Sequence, residues 1–437
     1  MIRYIKTLLI FGFLLALHPT LHAQAGSLDS SFGVNGLVTY DKTSSNGGSL
    51  IQPDGKIVVV SQSWSYIVVW RFNPDGTFDE SFGEMGGAHF SYENRIGTPK
   101  DIVLQPDGKL VFTAEYHPDQ YYYVGIVRCN ADGTPDSSFG INGLDTVKID
   151  KFNYESGLVL QPDGKIVVSG ESRPNFSEGP NSFLLRLMPN GGLDPTFGNG
   201  GIVVTTYNES IEASGLVLRP NGKLIKGITY NDYAARSSYQ LESFNPDGTV
   251  DAGFGENGVA SYTFGHSGSW STEMYGIALQ QDGKIVCGGI SGQNGIEAIA
   301  LCRFNEDGAL DIGFGDNHGS IIVTPKTSGW MLFGSVISQS DGKILVCGTG
   351  DEYPTPLFLI RLTQDGNYDP SFGENGISSI GNDSVNLDAN QIHNQQDGKI
   401  LVIGTYWIHN GIILLARYNG DNVLATHFKN VKAVENK

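Results

Sequence analysis

The stretch QPDGKIVV, from Gln52 to Val59, decides the fold because it is the clearest copy of a unit that recurs along the chain. Its proline fixes the first backbone dihedral of a turn, its glycine accepts the left-handed one, and an apolar run follows. The stretch therefore predicts a tight turn between two short strands. Related copies read QPDGKLVF, QPDGKIVV, RPNGKLIK, QQDGKIVC, QSDGKILV and QQDGKILV, and the lysines of the seven copies are Lys56, Lys109, Lys165, Lys223, Lys284, Lys343 and Lys399.

A second motif alternates with the first and is complete in RFNPDGTFDESFGEMG, from Arg71 to Gly86. Its first copy, LDSSFGVNG from Leu28 to Gly36, is only the closing half of the motif, and its last copy, ARYNGDNVL, is only the opening half. The two motifs are therefore out of phase at the chain ends. The phenylalanine of the closing Phe-Gly pair recurs at Phe32, Phe82, Phe139, Phe197, Phe254, Phe314 and Phe372.

Each repeat contains four strand candidates, and the third strand before the Phe-Gly turn, such as FLLRL or IILLA, is apolar almost throughout. Such runs indicate burial on both faces of a sheet. A single four-stranded unit cannot bury both of its faces, so the units must pack on one another, and radial packing of four-stranded blades is a propeller. The sequence predicts an all-β fold, a seven-bladed β-propeller of four-stranded antiparallel blades.

The phase shift between the motifs predicts how the ring closes. We expect Gly36 to Tyr40 to supply the outer strand of the seventh blade, beside strands around Lys399 to Ile403 and Ile412 to Arg417. This pairing would cover blade faces that an open array leaves in water. We therefore favour a closed ring over an open one.

The two motifs together resemble the delta-60 repeat family of secreted bacterial proteins, over about Leu28 to Leu424. The arrangement is also similar to NHL-type propellers, in which an Asp-Gly turn joins the two inner strands. Both resemblances imply the propeller fold, and neither transfers a catalytic or ligand-binding residue. The segment HFKNVKAVENK at residues 427–437 is too short for the sorting domain found in many delta-60 proteins.

The first residues have the pattern of a signal peptide, with Arg3 and Lys6, an apolar run, and small residues at Ala23 and Ala25. The predicted organisation is a signal peptide over 1–23, with cleavage after 25 as the alternative, a propeller over 24–428 and a tail over 429–437. The apolar run is too short to span a membrane. We expect an exported monomer in the periplasm, the cell envelope or the medium.

The net charge of −18 becomes −20 when the two cations of the signal peptide are removed. Such a chain repels phosphate backbones, so we expect no nucleic-acid partner. We also expect no cofactor and no metal, because the nucleotide and zinc motifs are missing and NPDGTFDE lacks ligands of a complete calcium loop.

Cys287 and Cys302 flank the turn residues Asn294 and Gly295 at equal distance, so a hairpin would place them opposite each other. That register predicts a hydrogen-bonded pair, in which side chains are farther apart than in the alternate pair. A disulfide and two buried thiols remain the alternatives.

Residues that recur in every unit are predicted to serve architecture, since one active site does not need seven copies. The repeated lysines, arginines and aspartates are expected to form ion pairs and turn hydrogen bonds at one rim, with the phenylalanines filling gaps between blades. The fourth unit departs from the pattern with Arg219, Asn221, Lys226 and Ser243, and Lys226 is one candidate to replace the missing arginine. The repeated acids and arginines are Asp29, Asp79, Asp136, Asp194, Asp251, Asp311, Asp369, Arg71, Arg128, Arg186, Arg303, Arg361 and Arg417.

Function is expected where the units differ, at the loops of the opposite rim, which are rich in aromatic residues. Exposed rings on a rigid scaffold are typical of glycan or protein binding, although rings that only pack loop bases fit the pattern equally. We predict a non-enzymatic binding scaffold, with a polysaccharide hydrolase or lyase and a purely structural envelope protein as alternatives. The candidate ligand-binding residues are Trp64, Tyr116, His117, Tyr121, Tyr230, Tyr233, Trp270, Trp330, Tyr353 and Trp407.

Overall fold

A computed structural model describes residues 24–41, 45–63, 66–175, 178–232, 236–264, 272–293, 296–323, 331–350, 354–381, 386–407 and 411–421. Over these residues the chain forms seven four-stranded antiparallel sheets, which are the blades of the predicted propeller. Blade 1 begins at Ser45 and blade 7 ends at Tyr418. The fold prediction is therefore confirmed.

The two inner strands of each blade are joined by the Asp-Gly turn of the first motif. The innermost strands are β2 Ser45–Ile51, β6 Ile96–Leu104, β10 Phe152–Leu160, β14 Ser210–Leu218, β18 Thr272–Leu279, β22 Met331–Ser338 and β26 Asn386–Asn394. The second strands are β3 Ile57–Ser63, β7 Leu110–Tyr116, β11 Ile166–Arg173, β15 Leu224–Asp232, β19 Ile285–Gln293, β23 Ile344–Gly350 and β27 Ile400–Trp407. Each innermost strand contacts the next one around the axis, and β26 contacts β2.

The third strand of each blade leads through the Phe-Gly turn to a short outer strand. The third strands are β4 Tyr66–Phe72, β8 Tyr123–Cys129, β12 Asn181–Leu187, β16 Arg236–Phe244, β20 Ile296–Phe304, β24 Leu357–Leu362 and β28 Gly411–Tyr418. The outer strands are β5 Gly87–Phe90, β9 Leu144–Val147, β13 Ile202–Thr206, β17 Val259–Tyr262, β21 Ser320–Val323, β25 Ile377–Ile380 and β1 Leu37–Tyr40. A three-residue 3₁₀ turn, Tyr92–Asn94, follows β5.

The hydrophobic core is divided among the seams between blades. In β4, Val68 and Trp70 pack with residues of blade 7, whereas Ile67 and Val69 pack with blade 2. This alternation follows from the two-residue period of a strand, and it explains why the third strands are apolar throughout. Neighbouring blades therefore stabilise each other through the surfaces that neither could bury alone.

The ring closes through pairing of the two ends of the described chain, as predicted. Strand β1 pairs antiparallel with β28, and Leu37 lies opposite Ala416. The contact extends beyond the strand, because Leu28 forms a further bridge with Tyr418 and Phe32 is fully buried between blades 7 and 1. The opening residues of the motif half LDSSFGVNG thus belong to blade 7.

Cys287 and Cys302 lie directly opposite each other in β19 and β20, which confirms the predicted register. Both thiols are free and fully buried, so the structure has the second of the two alternatives. Burial raises the pKa of Cys302 well above its ordinary value, with a further contribution from its hydrogen bond to Cys287. The described part of the chain contains no helix with the length and hydropathy of a membrane span.

Candidate functional site

The propeller has two rims that differ in what they carry. The turn rim holds the Asp-Gly turns between the first and second strands together with the Phe-Gly turns between the third and outer strands. The loop rim holds the connections from second to third strands and from each outer strand to the next blade. Strand antiparallelism places these two sets of connections at opposite ends of the blades.

On the turn rim the repeated charges form a buried cluster that joins each blade to the next. In blade 1, Oδ2 of Asp79 lies 2.7 Å from Nε of Arg71 and 3.0 Å from Nζ of Lys56. Burial opposes ionisation of Asp79, but hydrogen bonds from Ser81, Lys56 and Arg71 hold its pKa well below the ordinary value. Arg71 also stacks on the ring of Phe82 and donates to the carbonyl oxygen of Ala131 in blade 2.

The same cluster recurs around the ring, including the seam where the chain closes. There Asp29 accepts from Arg417 at 2.9 Å, with Lys399 at 3.3 Å, and Arg417 donates to the carbonyl oxygen of Pro74 in blade 1. Arginine–phenylalanine stacking links Arg128 to Phe139, Arg186 to Phe197, Arg303 to Phe314, Arg361 to Phe372 and Arg417 to Phe32. The structural role predicted for these repeated residues is confirmed.

Blade 4 replaces the cluster with two separate contacts. Lys223 and the hydroxyl of Ser243 both reach Asp251, at 2.7 and 3.0 Å. Arg219, which stands where other units have glutamine, donates to the carbonyl oxygen of Glu306 at 2.8 Å and so makes the link to blade 5. A cavity of about 490 Å³ borders Arg219, Lys223 and Asp251.

The expectation that Lys226 replaces the missing arginine is wrong. Lys226 is fully buried, and its ammonium group lies 2.5 Å from Glu242, the residue directly opposite it on β16. Burial lowers the pKa of Lys226, and the charge of Glu242 opposes that shift. Because side chains alternate along a strand, Lys226 pairs across the sheet, while Arg219 extends from the turn.

The loop rim contains the predicted aromatic residues that the structure describes. Tyr116, His117 and Tyr121 lie at and after the end of β7, Tyr230 lies in β15, and Trp407 ends β27 with 42% of its surface exposed. The remaining candidates lie outside the described residues: Trp64, Tyr233, Trp270, Trp330 and Tyr353.

Of the predicted residues, His117 lies near the seam between blades 2 and 3. The His117 ring lies 4.1 Å from the ring of Tyr122, which in turn lies 5.7 Å from the ring of Tyr154 in blade 3. Nζ of Lys148 lies 3.9 Å from the ring centre of Tyr121, the neighbour of Tyr122 in the chain. These rings are the aromatic part of the candidate site, whereas Tyr116 packs against the core between blades 1 and 2.

Glu155 is the least expected member of this seam. Its side chain is 3% exposed, and neither carboxyl oxygen has a hydrogen-bond partner among the described residues. Burial raises its pKa to about 8, and the nearby charge of Glu115 adds to the rise while Lys100 opposes it. Glu155 is therefore largely protonated at neutral pH and can donate a hydrogen bond.

Glu115 supplies the second carboxylate of the seam. One of its oxygens lies 3.8 Å from Nζ of Lys100, and the other lies 3.4 Å from Nε2 of His117. The seam thus combines a neutral acid, a carboxylate, an ammonium group and an imidazole beside three aromatic rings. A buried acid with a raised pKa beside other polar groups is common in ligand-binding and catalytic sites.

A comparison of equivalent positions shows that this pairing departs from the repeat. Each innermost strand has a bulge, and Glu155 is the residue that precedes it in β10. In three other blades the residue at the position of Glu115 accepts a hydrogen bond from the backbone of an uncharged pre-bulge residue: Thr229 from Met274, Thr349 from Ala389 and Glu171 from Ala213. The pre-bulge residues of the other blades are Asn46, Pro99, Ala213, Met274, Phe333 and Ala389.

Tyr230 and Trp407 lie in other parts of the loop rim. Nε1 of Trp407 donates to Oδ2 of Asp388 at 2.6 Å, and burial raises the pKa of Asp388 against this hydrogen bond. The ring of Tyr230 lies 6.2 Å from that of Tyr207 in blade 4. The structure therefore places His117 and Tyr121 in one loop of blade 2, Tyr116 against the core between blades 1 and 2, and Tyr230 and Trp407 at separate points on the rim.

Carboxylates also gather on the loop rim around blades 4 and 5. Burial raises the pKa values of Glu212 and Glu297, and the charge of Glu273 raises both further. The Tyr275 hydroxyl donates to Glu273. Within the described ranges, no three histidine, cysteine or acidic side chains are arranged to hold a metal ion.

Sequence reasoning missed Glu155, Glu115 and Asp388, because charged residues within strand candidates were not compared between units. The sequence does contain a signal for Glu155, because this residue is an exception to the repeat. Glu155 occupies a position at which the other units carry uncharged residues, and alignment on the Pro-Asp-Gly turn shows this from the sequence.

Five segments of the chain match a family model described as a domain of unknown function (DUF5122), β-propeller: residues 52–82, 105–139, 161–197, 280–314 and 339–372. Each matched segment runs from the first motif into the second, whereas the divergent fourth unit lies outside them. The chain is therefore similar to this β-propeller repeat family over five of its units. No curated protein sequence matches the chain.

Solved structures are similar to the chain at very low sequence identity. Drosophila Semaphorin 2a is 9% identical, with a TM-score of 0.53 over 91% of this chain and 76% of that chain. Polysaccharide lyase Uly1 is 10% identical, with a TM-score of 0.49 over 91% of this chain and 97% of that chain. A virginiamycin B lyase from Staphylococcus aureus is 12% identical, with a TM-score of 0.47 over 87% of this chain and 98% of that chain.

Proposed function

We propose that the protein is an exported, monomeric binding scaffold whose loop rim binds a glycan or a protein. Export rests on the signal-peptide pattern of residues 1–23, and the resemblance of the motifs to delta-60 repeats of secreted proteins agrees with it. The observation that carries the binding proposal is the contrast between the rims. Charges of the turn rim join blades, while the loop rim carries exposed rings and acids that the repeat does not require.

The chemistry of the loop rim favours a glycan. Exposed rings such as Trp407 offer apolar faces that suit the C–H faces of sugars, and the adjacent Asp388 offers acceptors for hydroxyl groups. Near blade 3, the protonated carboxyl group of Glu155 can donate a hydrogen bond to an oxygen of the ligand, whereas the carboxylate of Glu115 can only accept one. A neutral or basic saccharide suits a chain of this negative charge better than a polyanion does.

The experiment is a glycan and peptide array with the purified protein, followed by titration of each ligand found. Trp407→Ala and Tyr122→Ala are expected to weaken binding at least tenfold, because each removes a ring that the ligand stacks on. Lys56→Ala, on the turn rim, is the control and should bind as the wild type does. Loss of binding in the control alone would place the site on the other rim.

A second candidate function, hydrolysis or elimination on a polysaccharide at the same seam, is favoured by one observation. Glu155 is kept neutral by burial beside the carboxylate Glu115, and two carboxyl groups in different protonation states are the pattern of acid–base catalysis. Incubation with each bound glycan and analysis of the products separates this function from binding. Turnover that disappears in Glu155→Gln while binding remains would establish catalysis.

A protein that binds no glycan or peptide would contradict both candidates and favour a structural role in the envelope. That outcome would leave the propeller unchanged, since the turn-rim clusters stabilise the ring without any ligand. Retention of the full chain in the cytoplasm on expression in an exporting host would contradict the export part of the proposal alone.

A further inference from the structure

One turn of the propeller is built from both ends of the described chain. In a complete blade the second motif passes from the third strand into the turn as Asn73, Pro74, Asp75, Gly76 and Thr77. In blade 7 the third strand ends at Tyr418 and Asn419 follows, but the rest of the turn comes from the other chain end.

The correspondence between the two turns holds bond by bond. Gly26 has a φ of +87°, as Gly76 has +88°, and only glycine adopts this region readily. Asn419 therefore stands for Asn73, and Ser27 for Thr77. The matching hydrogen bonds are Gly26 N to Asn419 O with Gly76 N to Asn73 O, Asn419 N to Ser27 O with Asn73 N to Thr77 O, and Asn419 Nδ2 to Ser27 Oγ with Asn73 Nδ2 to Thr77 Oγ1.

Ala25 and Gln24 complete the split turn and hold it to blade 6. The N–H of Gly373 donates to the carbonyl oxygen of Ala25 at 2.8 Å, and the side-chain amide of Gln24 donates to the carbonyl oxygen of Gly373 at 2.8 Å. The first of these bonds is a regular feature of the seams. It corresponds to the bonds from Gly83 to Asp132, from Gly198 to Asp247, from Gly255 to Asp307 and from Gly315 to Asp365.

The carbonyl oxygen of Gln24 also accepts two hydrogen bonds from Ser27, one from its N–H at 3.0 Å and one from its hydroxyl at 2.6 Å. These bonds close the turn on its N-terminal side. Gln24, Ala25, Gly26 and Ser27 thus all take part in the split turn of blade 7.

From these contacts we infer that the signal peptide is removed at the bond between Ala23 and Gln24, and not after Ala25, so that the new N-terminus completes the ring. Hydrolysis of that bond adds water, leaves the carboxylate on Ala23 and leaves the amino group on Gln24. The inference rests on the proposed export. It assigns a processing site from the fold, where the sequence left two candidate bonds.

Cleavage after Ala25 would have a structural cost that cleavage after Ala23 avoids. It would remove the acceptor of the Gly373 N–H and the acceptor of both hydrogen bonds that Ser27 donates, and it would place the new ammonium group on Gly26 inside the turn. A backbone N–H that loses its partner at a packed seam lowers stability. Selection for a stable ring therefore favours a mature chain that begins at Gln24.

The first experiment is expression of the full chain with its own leader in an exporting bacterium, followed by intact mass measurement and N-terminal sequencing of the exported protein. The expected first residue is Gln24, free or cyclised to pyroglutamate with loss of ammonia. A first residue of Gly26, or any other exported start, would overturn the assignment. A chain that keeps its leader would overturn the export on which the assignment rests, so the two failures differ.

The second experiment compares two forms of the protein released from a cleavable fusion, one beginning at Gln24 and one at Gly26. The form beginning at Gly26 is expected to melt several degrees lower. Gln24→Ala in the longer form is the matched control, because it loses one side-chain bond and keeps the Ala25 acceptor, and it should melt close to the wild type. Equal melting temperatures for the Gln24 and Gly26 forms would overturn the structural reason for the site.

Discussion

The two rims of the propeller are made from the same repeats, yet they use charge in opposite ways. On the turn rim an arginine, a lysine and an aspartate of each standard unit meet at one point, and the aspartate pKa values are lowered. On the loop rim the pKa values of Glu155, Glu171 and Glu212 are raised by burial. The repeated charges of the turn rim thus pair with one another and join the blades, whereas burial keeps these acids of the loop rim closer to neutral.

The largest effect is expected from deleting Leu28 to Tyr40, which removes the outer strand of blade 7 together with Asp29 and Phe32. The deletion exposes the apolar faces of blades 7 and 1 and leaves the buried Arg417 without its carboxylate. We expect loss of the cooperative thermal transition, measured by circular dichroism.

Removal of residues 429–437 is the control for this deletion, since that segment follows the last copy of the repeat motifs. It should leave the melting temperature unchanged. An unchanged melting temperature in the Leu28 to Tyr40 deletion would show that the ring does not depend on its closure.

The next effect tests whether the blade 4 arrangement compensates for its missing arginine. Arg303→Ser gives blade 5 the serine that blade 4 has at this position, and it leaves Lys284 as the one cation paired with Asp311. We therefore expect a loss on the order of 3 kcal/mol in the free energy of unfolding. Adding Gln280→Arg, which copies Arg219, should restore part of that loss because the new guanidinium can reach the carbonyl of Gln364. Denaturant titration of both variants measures this.

If the double variant is no more stable than Arg303→Ser, then the contact of Arg219 with Glu306 does not substitute for the repeated arginine. The turn rim would then tolerate blade 4 for another reason. The matched control is Gln280→Arg alone, which adds a cation where the arginine is still present and is expected to lower stability.

A pH-dependent effect is expected at Glu155. Its pKa is raised from 4.5 to about 8 in the folded chain, so as the pH rises through this range the unfolded chain loses the proton first. Wild-type stability therefore falls by about 1.4 kcal/mol per pH unit across this window, relative to a residue that does not titrate. Glu155→Gln should become more stable than the wild type as the pH rises. At the acidic end of this pH range the two proteins should differ little in stability.

Melting temperatures measured across that pH range test this expectation. The control is Glu80→Gln, an exposed acid of the turn rim, whose difference from the wild type should stay nearly constant. A difference between Glu155→Gln and the wild type that does not grow with pH would mean that Glu155 is ionised in the folded protein.

The smallest effect on stability is expected for Trp407→Ala. Its ring is 42% exposed, and its hydrogen bond to Asp388 is its described polar contact, so the melting temperature should change by no more than a few degrees. If the variant loses a large part of the stability, Trp407 serves packing, and the loop rim would resemble the turn rim more closely than we propose.

Much of the architecture could be predicted because it is repeated. The Pro-Asp-Gly and Phe-Gly turns fixed the number of blades, and the half motifs at Leu28 and Arg417 indicated the closing strand. A repeat is recognised from all of its copies together, so one divergent unit does not obscure it. For the same reason a residue such as Glu155, which differs from the pattern in one unit, is easily overlooked.

The candidate site was predicted less well for a physical reason. His117 and Tyr121 were named because ring-bearing residues on loops are visible in the sequence, and their role in binding stays a prediction. Their carboxylate neighbours were not, because Glu115 and Glu155 lie in strands of different blades, and their proximity depends on the angle between blades. For Lys226 the sequence left open whether it replaces the arginine or has a partner of its own, and the partner is Glu242 across the sheet, whereas Arg219 from a turn makes the link to blade 5.

The split turn formed by Gly26 and Asn419 also bears on how the chain could be rewired. Both ends of the described chain meet inside one of seven equivalent turns. The fold therefore does not determine which blade comes first along the chain. A circular permutant that joins Asn419 to Gln24 and opens at the Asp132 turn should assemble the same ring. The ring can therefore be opened at any turn that two chain ends can form together, as Gly26 and Asn419 do in blade 7.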